Sequence, residues 1–242
     1  MTAPPPLVLA LHGTRSAAGR AVAAELAAAV AAGLPGVEVH LGWADVITPT
    51  LTETLAALGE AVVVPGFLTA GYHVTSDLPA AVEAAGGRAR LSGLIGPGLA
   101  AAVADRLAEA ESGKPSDAVV LAAAGSRRRR SLEGVAAAAR ELADRIGRPV
   151  VPGYLTAAEP TVADAVARLR ASGHRRVSVA SYLLAPGVFA DRLQEAGAQV
   201  VSAPIGVHPL VVQAVRSAYA AQVAAELHLP GALARSGVER IA

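Results

Sequence analysis

Two histidines are the residues of this chain best suited to chemistry, and each stands just past an apolar run. His12 closes "LVLALH" and is followed by Gly13, Thr14 and Arg15, while His73 lies in "GFLTAGYHVTSDLP", shortly after "AVVV". A carboxylate, Asp45, follows a third short stretch in "GWADVITP". Two neutral imidazoles and one carboxylate suit a borderline divalent cation such as iron, cobalt, nickel or zinc. Ligands that leave coordination positions open describe a site that handles an ion in transit, because structural sites are closed. Gly13 lets the backbone turn sharply after the first histidine and lets a large group approach.

Other chemistries are excluded or weakened by residue type. With no cysteine in 242 residues, disulfides, thiolate metal sites and cysteine nucleophiles are ruled out. Neither a phosphate loop of the form G-x-x-x-x-G-K-[ST] nor a G-x-S-x-G elbow is present, so no nucleotide is expected and a serine hydrolase is disfavoured. Leu11, rather than an arginine, precedes His12, which weakens a phosphatase reading. The net charge of +1 does not provide the concentrated basic face that nucleic-acid binding needs. Positive charge gathers locally at Arg127 to Arg130, with Arg127 in the same motif position as Arg15. Arginines at a helix start oppose the helix dipole, and an anion bound there offsets that cost. Successive helical residues point about 100° apart, so at most two of the four are expected to face one ligand, Arg127 first among them. Tyr72 and Phe67 are candidates to line the same cavity. Of the remaining histidines, His40 sits within a strand pattern, His174 in a polar loop and His228 near a helix end. His208 opens a loop in "IGVHP".

These residues must be positioned by an alternation of strands and helices. Short continuous valine- and leucine-rich runs at 7–11, 61–68, 118–124 and 177–184 fit parallel strands covered on both faces, with weaker strands at 37–42, 88–91, 149–153 and 199–202. Between them lie segments of helical length such as 16–32, 131–146 and 209–227. The order is β-α throughout, which defines α/β architecture. In an open parallel sheet, ligands bind at the carboxyl ends of strands, so His12, Asp45 and His73 are all expected on one rim. The opening "MTAPPPL" has neither the basic nor the apolar region of a secretory leader. No apolar run reaches the ~18 residues of a membrane span, so a cytoplasmic protein is expected.

The chain also repeats itself. "LVLALHGTR" matches "VVLAAAGSR", "TPTLTETLAAL" matches "EPTVADAVARL", and "VVVPGFLTAG" matches "VSVASYLLAP". Such ordered matches indicate duplication of a half-chain unit, with "SGKPS" as the joint. Residues 1–113 and 114–242 are the two expected domains. Two facing α/β domains and a single eight-stranded barrel both suit this pattern, the repeat favouring the former. The second half keeps the scaffold and drops the chemistry: Ala124 stands for His12, Thr156 for Asp45 and Val188 for His73.

"HGTR" after the first strand, "D-x-x-x-P" after the second and "FLTAGYHVTSDLP" after the third resemble the sirohydrochlorin chelatase family, class II cobalt or iron chelatases. "VPGYLTAAEPT", "SYLLAPG" and "PIGVHP" are similar to the second half of its two-domain members. The resemblance implies two chelatase-like domains, each a small parallel sheet flanked by helices, with a cleft between them and the metal site in the first. It implies insertion of Fe2+ or Co2+ into sirohydrochlorin, in sirohaem or cobalamin biosynthesis. His12 and His73 match the family's metal-binding histidines. Asp45 stands where similar members have glutamate; being one methylene shorter, it fits proton acceptance at least as well as ligation. Arg15, Arg127 and Tyr72 are then expected to hold the many-carboxylate tetrapyrrole. A carrier that delivers metal or tetrapyrrole without catalysis is the alternative. Internal duplication is compatible with a monomer as well as a homodimer.

Overall fold

The structure is a computed structural model that describes residues 3–227; His228 lies outside the described residues. Strands β1 (Leu7–Leu11), β2 (Val39–Trp43), β3 (Ala61–Pro65) and β4 (Ala89–Leu91) form one parallel sheet in the order β2-β1-β3-β4. β5 (Ala118–Ala123), β6 (Val150–Tyr154), β7 (Val177–Tyr182) and β8 (Val200–Val201) form a second, in the order β6-β5-β7-β8. Two open sheets of the same topology set the barrel aside. All eight expected strands are present. The run at 61–68 ends as a strand at Pro65, with a last bond to β1 from the Gly66 N–H to the Ala10 carbonyl.

The helices are α1 (Ala17–Ala32), α2 (Leu51–Ala57), α3 (Leu78–Ala84), α4 (Ala100–Glu111), α5 (Arg129–Ile146), α6 (Val162–Ala171), α7 (Val188–Leu193) and α8 (Pro209–Leu227). Their starts follow from local chemistry. The Ser16 hydroxyl accepts the Gly19 N–H at α1, and Thr50 and Glu53 form a reciprocal capping box at α2. Thr161 caps α6 in the corresponding place of the repeat.

Alternation along the central strands sorts the core. Leu7, Leu9 and Leu11 face one side of the first sheet with Ala23, Leu26 and Val30 of α1, whereas Val8 and Ala10 face α2 and α3 through Leu51, Leu55 and Leu78. In the second sheet Val119 and Leu121 face the same central core, and Val120 and Ala122 face α6. One continuous apolar layer therefore lies between the two sheets. The halves also exchange a helix. α4, from the first half, packs on β7, β8 and α5, while α8, from the second, packs on β3 and α1. The sequence marks the helical segments but does not say whose sheet each of them covers.

Candidate metal centre

The strand order creates the site. From β1 the chain moves to one side for β2, then returns across β1 to place β3 on the other side. The crossovers leaving β1 and β3 therefore part in opposite directions, opening a crevice at their carboxyl ends where such sheets bind ligands. His12 follows β1 directly, and His73 lies on the loop leaving β3. The structure brings the two rings together in a T-shaped arrangement, with centroids 4.6 Å apart. Metal–imidazole bonds of about 2.0–2.1 Å, extended by the ring radius, put the centroids of two imidazoles on one ion about 5 Å apart. The observed pair is within a small adjustment of that grip.

Each ring is held from its own side. His12 is exposed and its Nδ1–H donates to the Gly13 carbonyl at 3.1 Å. His73 is half-buried and begins a short π-helical turn, His73–Asp77, in which the Leu78 N–H reaches back to the His73 carbonyl. Such wide turns gather at functional sites. This one places Asp77 against the His73 ring, with Nδ1 2.6 Å from Oδ2. Phe67 and Tyr72 flank the same ring at centroid distances of 6.3 and 6.0 Å. Asp77 was not singled out from the sequence, although its four-residue spacing from His73 in "HVTSD" was the available signal.

Asp45 stands on the rim beside His12. Its N–H donates to the His12 carbonyl at 3.0 Å, and its carboxylate accepts the Val46 N–H at 2.7 Å. Among the described residues no three His, Cys, Asp or Glu side chains are gathered to hold one metal ion. Asp45 is exposed, and the cap of α2 is Thr50.

The rim of the second sheet meets that of the first. Gly187, at the start of α7, lies against Thr14 and Ser16. Ser131 of α5 donates to the Thr69 hydroxyl at 2.9 Å. Of the four consecutive arginines, Arg128 reaches across to the Tyr72 ring, 5.7 Å from its centroid. Arg129 is engaged with Glu133, and Arg127 lines a groove with Tyr154, Thr156 and Glu159 within its own half. Arg15 is exposed beside His12. The large apolar side chains exposed among the described residues are Val46, Tyr72, Val188 and Phe189, all on rim segments that follow strands. His208 turns away to the junction of the halves. Its Nδ1 accepts the Leu210 N–H, and its Nε2 lies 3.2 Å from Asp105 of α4.

Duplicated sheets of this order, with a histidine pair at the switch point of the first alone, define a two-lobed α/β protein. The CbiX family model matches the chain twice, over residues 6–110 and 118–222, and the chain belongs to the CbiX family. A sirohydrochlorin cobaltochelatase from Methanococcoides burtonii is 33% identical over 73 residues, 28% of this chain, and the chain spans 56% of the length of that curated relative. SirB from Bacillus subtilis, solved with Fe3+, superposes with a TM-score of 0.78 at 21% identity, covering 93% of this chain and 97% of SirB. A CbiX described as the terminal enzyme of sirohaem biosynthesis in denitrifying bacteria superposes with a TM-score of 0.65 at 24% identity, covering 90% of this chain and 98% of that one. These structures share the fold. No helix among the described residues is long and apolar enough to cross a membrane.

Proposed function

We propose that this protein is a chelatase that inserts a divalent metal, iron or cobalt, into sirohydrochlorin on the way to sirohaem or cobalamin. The observation that carries the reading is the His12–His73 pair, 4.6 Å between ring centroids, at the switch point of the first sheet. The names of the relatives supply the substrate class.

In this reading His12 and His73 take the ion as neutral imidazoles and present it to the macrocycle, so the first lobe carries the metal site. As the ion passes to the ring nitrogens, two pyrrole protons leave, one to Asp45, exposed on the adjoining loop, and the other to an imidazole that the departing ion has freed. The exposed Val46, Tyr72, Val188 and Phe189 offer apolar surface to the flat ring. Arg15, Arg127 and Arg128 meet its carboxylates. The metal is a substrate, and no nucleotide takes part. Nickel and zinc also suit two imidazoles, so metal supply contributes to the choice. The protein works in the cytoplasm as a monomer or homodimer, without nucleic-acid or membrane partners.

The test follows the absorbance of sirohydrochlorin with Co2+ or Fe2+, with and without protein. The wild type accelerates insertion, and His12→Ala or His73→Ala slows it roughly 100-fold or more, the scale of losing a positioned acid–base group. Wild-type turnover by either variant overturns the assignment. Tight binding of metal or ring with no acceleration identifies a carrier instead.

A further inference from the structure

We infer that Asp77 is a positioning residue that fixes which nitrogen of His73 carries the proton, so that both rim histidines offer Nε2 to the ion. The inference rests on the proposed reading of His12 and His73 as the ion-holding pair.

A neutral imidazole has one N–H and one bare nitrogen, and only the bare nitrogen ligates metal. The partner of Nδ1 decides which is which. An ionised carboxylate accepts hydrogen bonds and donates none, so the 2.6 Å contact between His73 Nδ1 and Asp77 Oδ2 requires the proton to be on Nδ1. The Gly13 carbonyl is likewise only an acceptor, so His12 Nδ1, 3.1 Å away, carries the proton as well. Neither Nε2 has a hydrogen-bond partner among the described residues. Two unrelated acceptors, a backbone carbonyl and a side-chain carboxylate, thus give both rings the same tautomer.

Asp77 has no competing local duty. It stands at the N-cap position of α3, yet its side chain makes no capping hydrogen bond. It is only partly exposed, at 35%, as is the His73 side chain, at 26%, which strengthens a charge-assisted bond relative to open water. The repeat points the same way. Leu78 and Leu193 are equivalent buried anchors, at 0% and 1% exposure. Counting back from them, Val188 stands for His73 and Arg192 stands for Asp77. The second lobe replaced the imidazole and its acceptor together and kept the anchor.

The full-length protein with Co2+ alone tests this, alongside the nitrogen NMR spectrum of the histidine rings at one fixed pH. The His73 signals are assigned by their loss in His73→Ala. In the wild type the protonated nitrogen of His73 should be Nδ1; a protonated Nε2 overturns the inference before any variant is made. Asp77→Ala should shift the proton toward Nε2 and weaken Co2+ binding roughly 10- to 100-fold, the usual effect of losing a partner that orients a ligand. Asp77→Asn, which keeps side-chain size, should act in the same direction because its amide can donate to Nδ1. Wild-type Co2+ affinity and unchanged His73 signals in both variants refute the role of Asp77. Wild-type Co2+ affinity in His73→Ala refutes the reading beneath it, so the two failures are distinguishable.

Discussion

Gly13 shows how tightly the backbone is drawn at the rim. It has φ +98°, and a Cβ placed there would stand 2.1 Å from the Asp45 carbonyl oxygen. Gly125 repeats the feature with φ +94° and a Cβ 1.8 Å from the Thr156 carbonyl. In both halves the loop leaving the second strand lies against the loop leaving the first, through Asp45 N–H to His12 O and Thr156 N–H to Ala124 O. Alanine at either position must distort this contact and hold an unfavourable backbone conformation, costing about 1–3 kcal/mol of stability in denaturant titrations. The functional outcomes should differ. Gly13→Ala displaces the carbonyl that holds His12 and should also weaken Co2+ binding, whereas Gly125→Ala should leave it near the wild-type value. Equal Co2+ affinity in the two variants would show that the Gly13 carbonyl does not position His12. His12 and His73 were legible in the sequence because a repeated scaffold kept their surroundings and dropped the imidazoles. Asp77 was not singled out, because its four-residue spacing from His73 becomes a contact through a π-helical turn that no composition rule signals.

At the scale of elements, α7 is where the second lobe turns its surface to the rim. Val188 and Phe189 open it at 67% and 38% exposure, with Gly187 against Thr14. The Arg192 guanidinium sits 6.0 Å from the Phe189 ring centroid. An apolar pair beside a cation suits an aromatic ring fringed with carboxylates. Fully burying such side chains is worth about 1.5–3 kcal/mol each. If half of that is realised on the substrate, Phe189→Ala should raise KM for sirohydrochlorin about 3- to 12-fold, with Co2+ affinity unchanged. An unaltered KM would remove α7 from the substrate site. The strands around it were readable because they are buried on both faces and so appear as unbroken apolar runs. Among the arginines, Arg127 was favoured by its match to Arg15, and the contact to Tyr72 is made by its neighbour Arg128. The loops entering α1 and α5 are both five residues long, 12–16 and 124–128, but Arg128 stands where α1 has its cap Ser16, so the match to Arg15 could not point to it.

At the scale of the whole molecule, the exchange of α4 and α8 makes the two halves one packing unit, which no local pattern in the chain could announce. Glu111, the last residue of α4, anchors it. Its side chain is 4% exposed and meets the Arg148 guanidinium at 2.9 Å, the Ser116 N–H at 3.0 Å and the Ser178 hydroxyl at 2.8 Å. Burial alone would raise the pKa of this carboxyl. The hydrogen bonds from Arg148, Ser116 and Ser178 overrule it and hold the value at about 2, below the ordinary 4.5. A carboxyl whose pKa falls on folding contributes stability that is complete above the unfolded value and is lost as the folded one is approached. The first half's helix should therefore loosen from the second half's sheet as pH drops from 4.5 toward about 2. Because one core spans both sheets, the loss should appear as a single cooperative transition rather than one per lobe. Glu111→Gln, which leaves Arg148 without its anion, should cost about 3 kcal/mol at neutral pH and flatten the fall in stability through that acidic window. Denaturant unfolding followed at several pH values measures both. An unchanged acid slope in the variant would mean that the Glu111 charge does not hold the junction of the halves.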